Sequence, residues 1–296
     1  MGCRCQGMVR STSDELHAVH IPQGAKQISN FPVLTHVLLS DAASPSAAGK
    51  HNSTSASRKD TESDEQAIYE LPDGSIYQGQ WADGVRSGKG RQIWPNKTYY
   101  EGEWRDDLPN GHGKKLFPDA SSLEGSFTAG KADGLCIFKD KDGLRIQGVF
   151  KDDLPCGKCT ASYYDRTTYE GDMKGMKKDG VGKLTKPDGT VYEGEFKDDL
   201  RHGTGILTYL DGRRYEGQWK DDKMNGIGEH KWADGSVYKG GYLDDLKHGE
   251  GEFRWADGRI FKGVWVNGKR EGVGIIIKEG TEKKGEWRND ERVRWL

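Results

Sequence analysis

The sequence YEGQWKDDKMNGIGEHKWADGSV, at positions 215–237, holds every feature needed to predict how this chain folds. Rings and a glycine alternate with polar residues over 215–219, which is the two-residue period of a β-strand with its rings on one face. Polar residues 220–225 suit a loop, and alternation resumes over 226–232. Asp-Gly at 234–235 then favours a tight turn into the next strand. The stretch therefore predicts a β-hairpin.

The opening pattern, aromatic-x-Gly-x-aromatic, returns every 23 residues without an insertion or deletion. A chain that repeats in unbroken register is a linear array, and its function is that of an extended surface. Partial units flank the regular ones, so we assign residues 67–296 to the array. The nine full units start at positions 77, 100, 123, 146, 169, 192, 215, 238 and 261.

Composition by itself would suggest a poorly folding chain, with 33% hydrophobic and 31% charged residues. The periodic placement of 42 glycines and the large rings instead predicts a thin continuous core. The formal charge is only -2 and no basic half exists, which excludes a nucleic-acid footprint. We find no apolar membrane span or signal peptide, so we expect a cytosolic chain whose cysteines stay reduced.

The glycines of each unit need a physical reason, because glycine weakens a strand interior. We predict that the rings of Tyr215 and Trp219 lie flat on the bare Cα atoms of three glycines, where a Cβ would block them. The predicted structural glycines are Gly217, Gly226 and Gly228 in this unit and Gly194, Gly203 and Gly205 in the preceding one.

These residues resemble the MORN repeat family, whose signature is roughly Tyr-x-Gly-x-Trp, a short loop, Gly-x-Gly and a terminal Asp-Gly. The match is carried by Tyr192, Gly194, Phe196, Gly203 and Gly205 in one unit and by Tyr238, Gly240, Tyr242, Gly249 and Gly251 in another. The resemblance implies an all-β fold, an elongated twisted single-layer array of antiparallel β-hairpins. Two units depart from the signature, with Leu123 and Ile146 as opening residues and Cys136 and Cys159 in place of a glycine.

Residues 1–66 have the character of a flexible, disordered leader with a special beginning. Met-Gly-Cys-Arg-Cys predicts N-myristoylation at Gly2 and palmitoylation at Cys3 and Cys5, and two acyl chains anchor a protein where one does not. This opening is similar to dually acylated kinases and calcium sensors, although Gln6 replaces their usual Ser or Thr. An unmodified start with ordinary thiols is the alternative. Acylation would place the chain on the cytoplasmic face of a membrane.

Two motifs mimic sites of chemistry. Cys156-x-x-Cys159 has redox or zinc-like spacing, but it lies within a predicted hairpin and lacks a nearby histidine, so we interpret these cysteines as structural thiols. The paired aspartates lack the ligand-rich loop of a calcium site, and we expect them to cap turns by bonding the backbone two residues on. Those pairs begin at Asp106, Asp152, Asp198, Asp221 and Asp244. We therefore predict no catalytic residues, metal or cofactor, and no enzyme.

The resemblance implies a scaffold or adaptor that links a membrane to cytoskeletal or signalling proteins along its ring-lined face. Two alternatives stay open: an axonemal component of the radial-spoke type, and a regulatory partner of a lipid kinase or GTPase exchange factor. A homodimer also stays open. Outward glutamates such as Glu170 and Glu193 predict an acidic opposite face, which would disfavour anionic lipid. The residues predicted to bind a partner are Tyr192, Phe196, Tyr215, Trp219, Trp232, Tyr238, Tyr242 and Trp255, and we expect most of these rings to be part of the core as well.

Overall fold

The computed structural model describes residues 21–32 and 67–296, and these residues form β-strands, turns and no helix. The predicted all-β fold of antiparallel hairpins is confirmed. None of the described residues forms a helix with the length and apolarity to span a bilayer. The predicted lipidation residues Gly2, Cys3 and Cys5 lie outside the described residues. Internal contacts divide the chain into two compact units, residues 1–108 and 109–296.

Among the residues that the structure describes, the first unit contains five strands, each antiparallel to the next in the order of the chain. Part of the segment predicted as leader takes part, because Gln27 in the first strand faces Tyr69 in the second. The strands are β1 Lys26–Ile28, β2 Ile68–Glu70, β3 Ile76–Ala82, β4 Val85–Ile93 and β5 Tyr99–Arg105.

The second unit continues the pattern, and each strand from β6 to β21 pairs antiparallel with the strand that follows it. Strands of seven and nine residues alternate through most of it. Its strands are β6 Leu108–Leu116, β7 Ser122–Thr128, β8 Lys131–Lys139, β9 Arg145–Lys151, β10 Leu154–Ser162, β11 Thr168–Lys174, β12 Lys177–Thr185, β13 Val191–Lys197, β14 Leu200–Thr208, β15 Arg214–Lys220, β16 Lys223–Lys231, β17 Val237–Leu243, β18 Leu246–Arg254, β19 Ile260–Val266, β20 Lys269–Lys278, β21 Thr281–Arg288 and β22 Glu291–Trp295.

The turn inside each hairpin is shorter than predicted. Residues 220–225 were expected to form a loop, but Lys220 already pairs with Lys223, so only Asp221 and Asp222 make the turn. Both have positive φ, 49° and 70°, which is the two-residue turn whose twist matches that of the strands. Aspartate tolerates this conformation better than most residues, which allows the short turn to form. The prediction of a six-residue loop was wrong.

The turn between hairpins matches the Asp-Gly prediction. The Asp234 carboxylate accepts a hydrogen bond from the backbone N–H of Ser236, two residues on, at 2.8 Å. Gly235 follows with φ of 87°, which glycine adopts at little cost. Capping by aspartate two residues on thus occurs in this turn, whereas in an Asp-Asp turn Asp222 bonds the backbone of Arg201, 21 residues before it, and the capping prediction for Asp-Asp turns was wrong there.

Two of the three glycines in the reference unit lie under a ring, as predicted. Gly217 and Gly228 face each other across β15 and β16, and the Tyr215 ring covers both. A Cβ on Gly228 would come within 2.6 Å of ring carbons of Tyr215, so only glycine fits. The ring is fully buried.

Gly226 has a different role from the one predicted. The pairing of β15 with β16 shifts register between Gly217 and Trp219, which marks a β-bulge. Gly226 has φ of 81° in this bulge, and the Gln218 side chain lies against it and accepts a hydrogen bond from Ile227 N at 2.8 Å. Its requirement for glycine therefore comes from the backbone conformation and the neighbouring amide rather than from a ring.

The two atypical units replace the ring and the glycine together. Cys136 and Cys159 face Gly125 and Gly148, in the register where Gly228 faces Gly217. Their side chains fill the space that a tyrosine ring takes elsewhere, and the opening residues are the smaller Leu123 and Ile146, both buried. In these units the larger cysteine in place of glycine is offset by a smaller opening residue in place of tyrosine.

Candidate partner-binding surfaces

Six of the eight rings predicted to bind a partner lie in the interior. Each packs edge to face against another of the six, as in the 5.0 Å contact between Tyr215 and Trp219 and the 5.3 Å contact between Tyr215 and Tyr242. Such contacts stabilise the sheet beyond simple burial. The six exposures are 2% for Tyr192, 4% for Phe196, 0% for Tyr215, 4% for Trp219, 0% for Tyr238 and 5% for Tyr242.

Trp232 and Trp255 are the two predicted rings that remain half exposed. They lie where β16 and β18 run into the turns between hairpins, with Phe253 between them. Trp232 stacks on His230 at 4.3 Å and contacts Phe253 at 5.4 Å, while Phe253 contacts Trp255 at 4.8 Å. We call Trp232, Phe253 and Trp255 the turn-edge rings.

Basic side chains lie over several of the buried rings and help a single sheet to bury them. The Arg201 guanidinium lies 4.2 Å from the Trp219 ring centre. It is fixed there by Asp222 in the next hairpin, whose Oδ1 accepts from the Arg201 backbone N–H at 2.9 Å and from its Nε at 3.0 Å. The aspartate N–H returns a bond to the Arg201 carbonyl at 3.0 Å.

This aspartate clamp recurs wherever a unit supplies the residues for it. Its spacing is 21 residues in most units, and it joins an aspartate at the second position of a turn to the second residue of the preceding hairpin's return strand. This clamp was missed in the sequence analysis. Its signal in the sequence is an aspartate that recurs at a nearly fixed distance after the residue it binds. The clamped pairs are Arg86–Asp107, Ala132–Asp153, Lys178–Asp199, Arg201–Asp222, Met224–Asp245 and Arg270–Asp290.

The face opposite the rings carries a shallow groove of about 940 Å³ across β10 to β16. Its floor is the backbone of glycines in neighbouring strands, Gly171, Gly182, Gly194, Gly205 and Gly217. One wall contains Glu170, Lys183, Glu193, Ile206 and Glu216, and the other contains Lys158, Val181, Thr204, Gln218 and Ile227. Val181 and Ile227 are 56% and 63% exposed, which is unusual for such side chains.

The groove is mixed in charge, and the prediction of an acidic face was wrong. Lys183 lies in register between Glu170 and Glu193, and its Nζ is 2.7 Å from Glu193 Oε1. Arg214 likewise pairs with Glu216 at 2.7 Å. The prediction counted the outward acidic residues of the opening strands and omitted Lys183 in a return strand and Arg214 at the start of β15.

The thiols occupy structural positions. Cys136 and Cys159 are buried, and burial raises the pKa of both, which makes their thiolates scarce near neutral pH. Cys156 is exposed. Within residues 21–32 and 67–296, no cluster of three or more His, Cys, Asp or Glu side chains could hold a metal ion.

Comparison with known proteins places the repeats in a family. The MORN repeat profile matches nine segments, whose starts agree with the predicted units to within one residue: 77–99, 100–122, 124–145, 147–168, 169–191, 192–212, 215–237, 238–258 and 261–278. No curated protein sequence matches the chain.

Two solved structures are similar to this chain in fold, with low sequence identity. The TCP10 domain of Danio rerio CPAP is 14% identical with a TM-score of 0.40, over 67% of this chain and 93% of that one. The Drosophila melanogaster SAS-4 TCP domain, solved in complex with a proline-rich motif of Ana2, is 16% identical with a TM-score of 0.34, over 57% of this chain and 95% of that one.

Proposed function

This chain belongs to the MORN repeat family, and from that premise we propose that it is a non-catalytic scaffold that binds partner proteins. The observation that carries the proposal is the glycine-floored groove of the second unit, with Val181 and Ile227 exposed in one wall. Apolar side chains exposed beside a regular row of charges are typical of a protein-binding surface.

The groove suits an extended segment or a helix laid across the strands. Apolar contact with Val181 and Ile227 would supply affinity, and the alternating charges of Glu170, Lys183 and Glu193 would select a partner and fix its register. The rings buried beneath the floor hold the sheet in place, so a partner would not have to order it on binding.

The test compares partner capture by two variants from the same cells. Val181→Asp with Ile227→Asp should remove the apolar contact and lose the bound proteins, measured by quantitative mass spectrometry of affinity-captured complexes. Leu210→Asp is the matched control, because Leu210 is 82% exposed in a turn outside the groove. Equal capture by the groove variant and wild type would contradict the proposal.

We further propose that the scaffold is tethered to the cytoplasmic face of a membrane through acyl chains on Gly2 and Cys3, and also Cys5. The support is the sequence Met-Gly-Cys-Arg-Cys and the need for two chains for a stable anchor. Gly2→Ala should move the protein from the membrane pellet to the supernatant and abolish incorporation of an azide-tagged myristate. Unchanged fractionation would refute the tether.

A further inference from the structure

Lys247 is a half-buried cation enclosed by rings. Its Nζ lies 4.4 Å from the ring centre of Phe253, 5.0 Å from Trp232 and 5.3 Å from Tyr238. No carboxylate in the described part of the chain forms an ion pair with it. Burial lowers the pKa of Lys247, as expected of an ammonium group held away from water. Asp290, whose charge also acts on it, is already bonded to Arg270 at 2.9 Å.

The same position elsewhere shows what is missing. In the unit that contains Lys178, Asp199 Oδ1 accepts from the Lys178 backbone N–H at 2.9 Å and from its Nζ at 2.8 Å. The residue that corresponds to Asp199 opposite Lys247 is Gly268. Gly268 N still donates to the Lys247 carbonyl at 2.8 Å, so the turn keeps its place and only the carboxylate is absent.

Two other units in the second compact unit also lack the aspartate, and there the reason is plain. Gly130 lies opposite Pro109, and Met176 lies at the same spacing from Pro155. Proline has no backbone N–H and no charge, so neither position needs an acceptor. Lys247 keeps both donors and has lost the acceptor.

We propose that the space beside Gly268 receives the carboxylate of an Asp or Glu side chain from a partner protein, held by the Lys247 backbone N–H and Nζ. The Asp199 geometry is the template, since one carboxylate oxygen there takes both donors. A Cβ on Gly268 would meet a single atom, a Leu246 methyl at 3.7 Å, so the space is open. The turn-edge rings beside it give an apolar neighbour of the acidic residue a surface to pack on.

This inference deepens the proposed scaffold function and rests on it, but the site lies on the ring side, away from the groove. Its test therefore uses a small probe and no cellular partner. The probe is the blocked dipeptide acetyl-Phe-Asp-amide, with acetyl-Phe-Asn-amide as the uncharged match. Two further ligands test whether the site prefers a side-chain carboxylate. Acetyl-phenylalanine presents a terminal carboxylate, and inorganic phosphate presents a different anion. The readout is the amide shift of Lys247 in protein labelled with nitrogen-15 lysine, assigned by its loss in Lys247→Arg.

Gly268→Asp should fill the site from within. We expect it to weaken acetyl-Phe-Asp-amide binding at least about tenfold, the scale of a lost charged hydrogen bond, and to raise the melting temperature. Gly130→Asp adds the same charge opposite Pro109 and should leave binding unchanged. Weaker binding of the Asn peptide and of phosphate completes the expected result. The proposal would be overturned if Gly268→Asp and wild type bound acetyl-Phe-Asp-amide equally, or if the two dipeptides bound equally to wild type. Tighter binding of acetyl-phenylalanine or phosphate, or no shift of the Lys247 amide, would also overturn it. Loss of groove capture alone leaves this result intact.

Discussion

Tyr215 donates a hydrogen bond from its phenolic oxygen to the backbone carbonyl of Gln218, 2.9 Å away, at the residue where the hairpin bulges. The ring thus covers two glycines while its hydroxyl satisfies a carbonyl that the irregular ladder would otherwise leave short of a donor. Five other units repeat the bond, from Tyr77, Tyr100, Tyr169, Tyr192 and Tyr238.

Tyr215→Phe should destabilise the β15–β16 hairpin by about 1 kcal/mol, since a buried carbonyl loses its donor while the ring packing is kept. Native-state hydrogen exchange of the hairpin amides measures the change locally. Tyr164→Phe is the control, because Tyr164 is 81% exposed and should have no effect. Unchanged protection in Tyr215→Phe would show that the hydroxyl contributes nothing.

Stability should fall in alkali. Burial raises the pKa of Tyr215 and Tyr238 to about 12, from 10.0. In the unfolded chain these groups lose their protons near pH 10, whereas the folded chain holds them to about pH 12. Their contribution is therefore complete below pH 10 and is lost as the pH rises toward 12. Urea midpoints at intervals from pH 7 to 12, with tyrosinate absorbance, test this. A flat profile across the window would contradict the assignment.

The ring and the glycine beneath it should be energetically coupled. Gly228→Cys alone should cost about 1–3 kcal/mol, because the thiol meets the Tyr215 ring. Adding Tyr215→Leu should recover part of that loss, since Leu123 with Cys136 already forms the same pair in this chain. A double-mutant cycle in urea gives the coupling, expected near 1 kcal/mol in the rescuing direction. If the losses in unfolding free energy of the two single variants simply add in the double variant, the explanation by exchanged volume is wrong.

Gly226→Ala should be more harmful than Gly249→Ala one unit later. Both glycines have left-handed φ, 81° and 75°, so both variants carry a strain of about 1–2 kcal/mol. The new Cβ at 226 also meets the Gln218 amide, whereas at 249 nothing lies within 4 Å. In urea unfolding, Gly226→Ala should have the lower midpoint. Equal midpoints would show that the Gln218 amide does not add to the cost.

The repeat, the strand alternation and the tyrosine-covered glycines were predictable, because each follows from spacing within one unit. The bulge at Gly226 was not, since its cause is a register shift against the neighbouring strand. The cover over the Trp219 ring was missed for a similar reason, because Arg201 belongs to the preceding hairpin. Trp232 and Trp255 survive as surface candidates because they lie at the turns, where the next hairpin covers them less completely.

The clamp from Asp222 back to Arg201 also limits how a gene for such a chain can change in length. Each hairpin completes its predecessor, so removing a fragment of arbitrary size would strip the cover from one tryptophan and leave one carboxylate facing the wrong donor. Only whole 23-residue steps keep both contacts. Duplication and loss in blocks of 23 codons are therefore the mutations that this architecture can absorb.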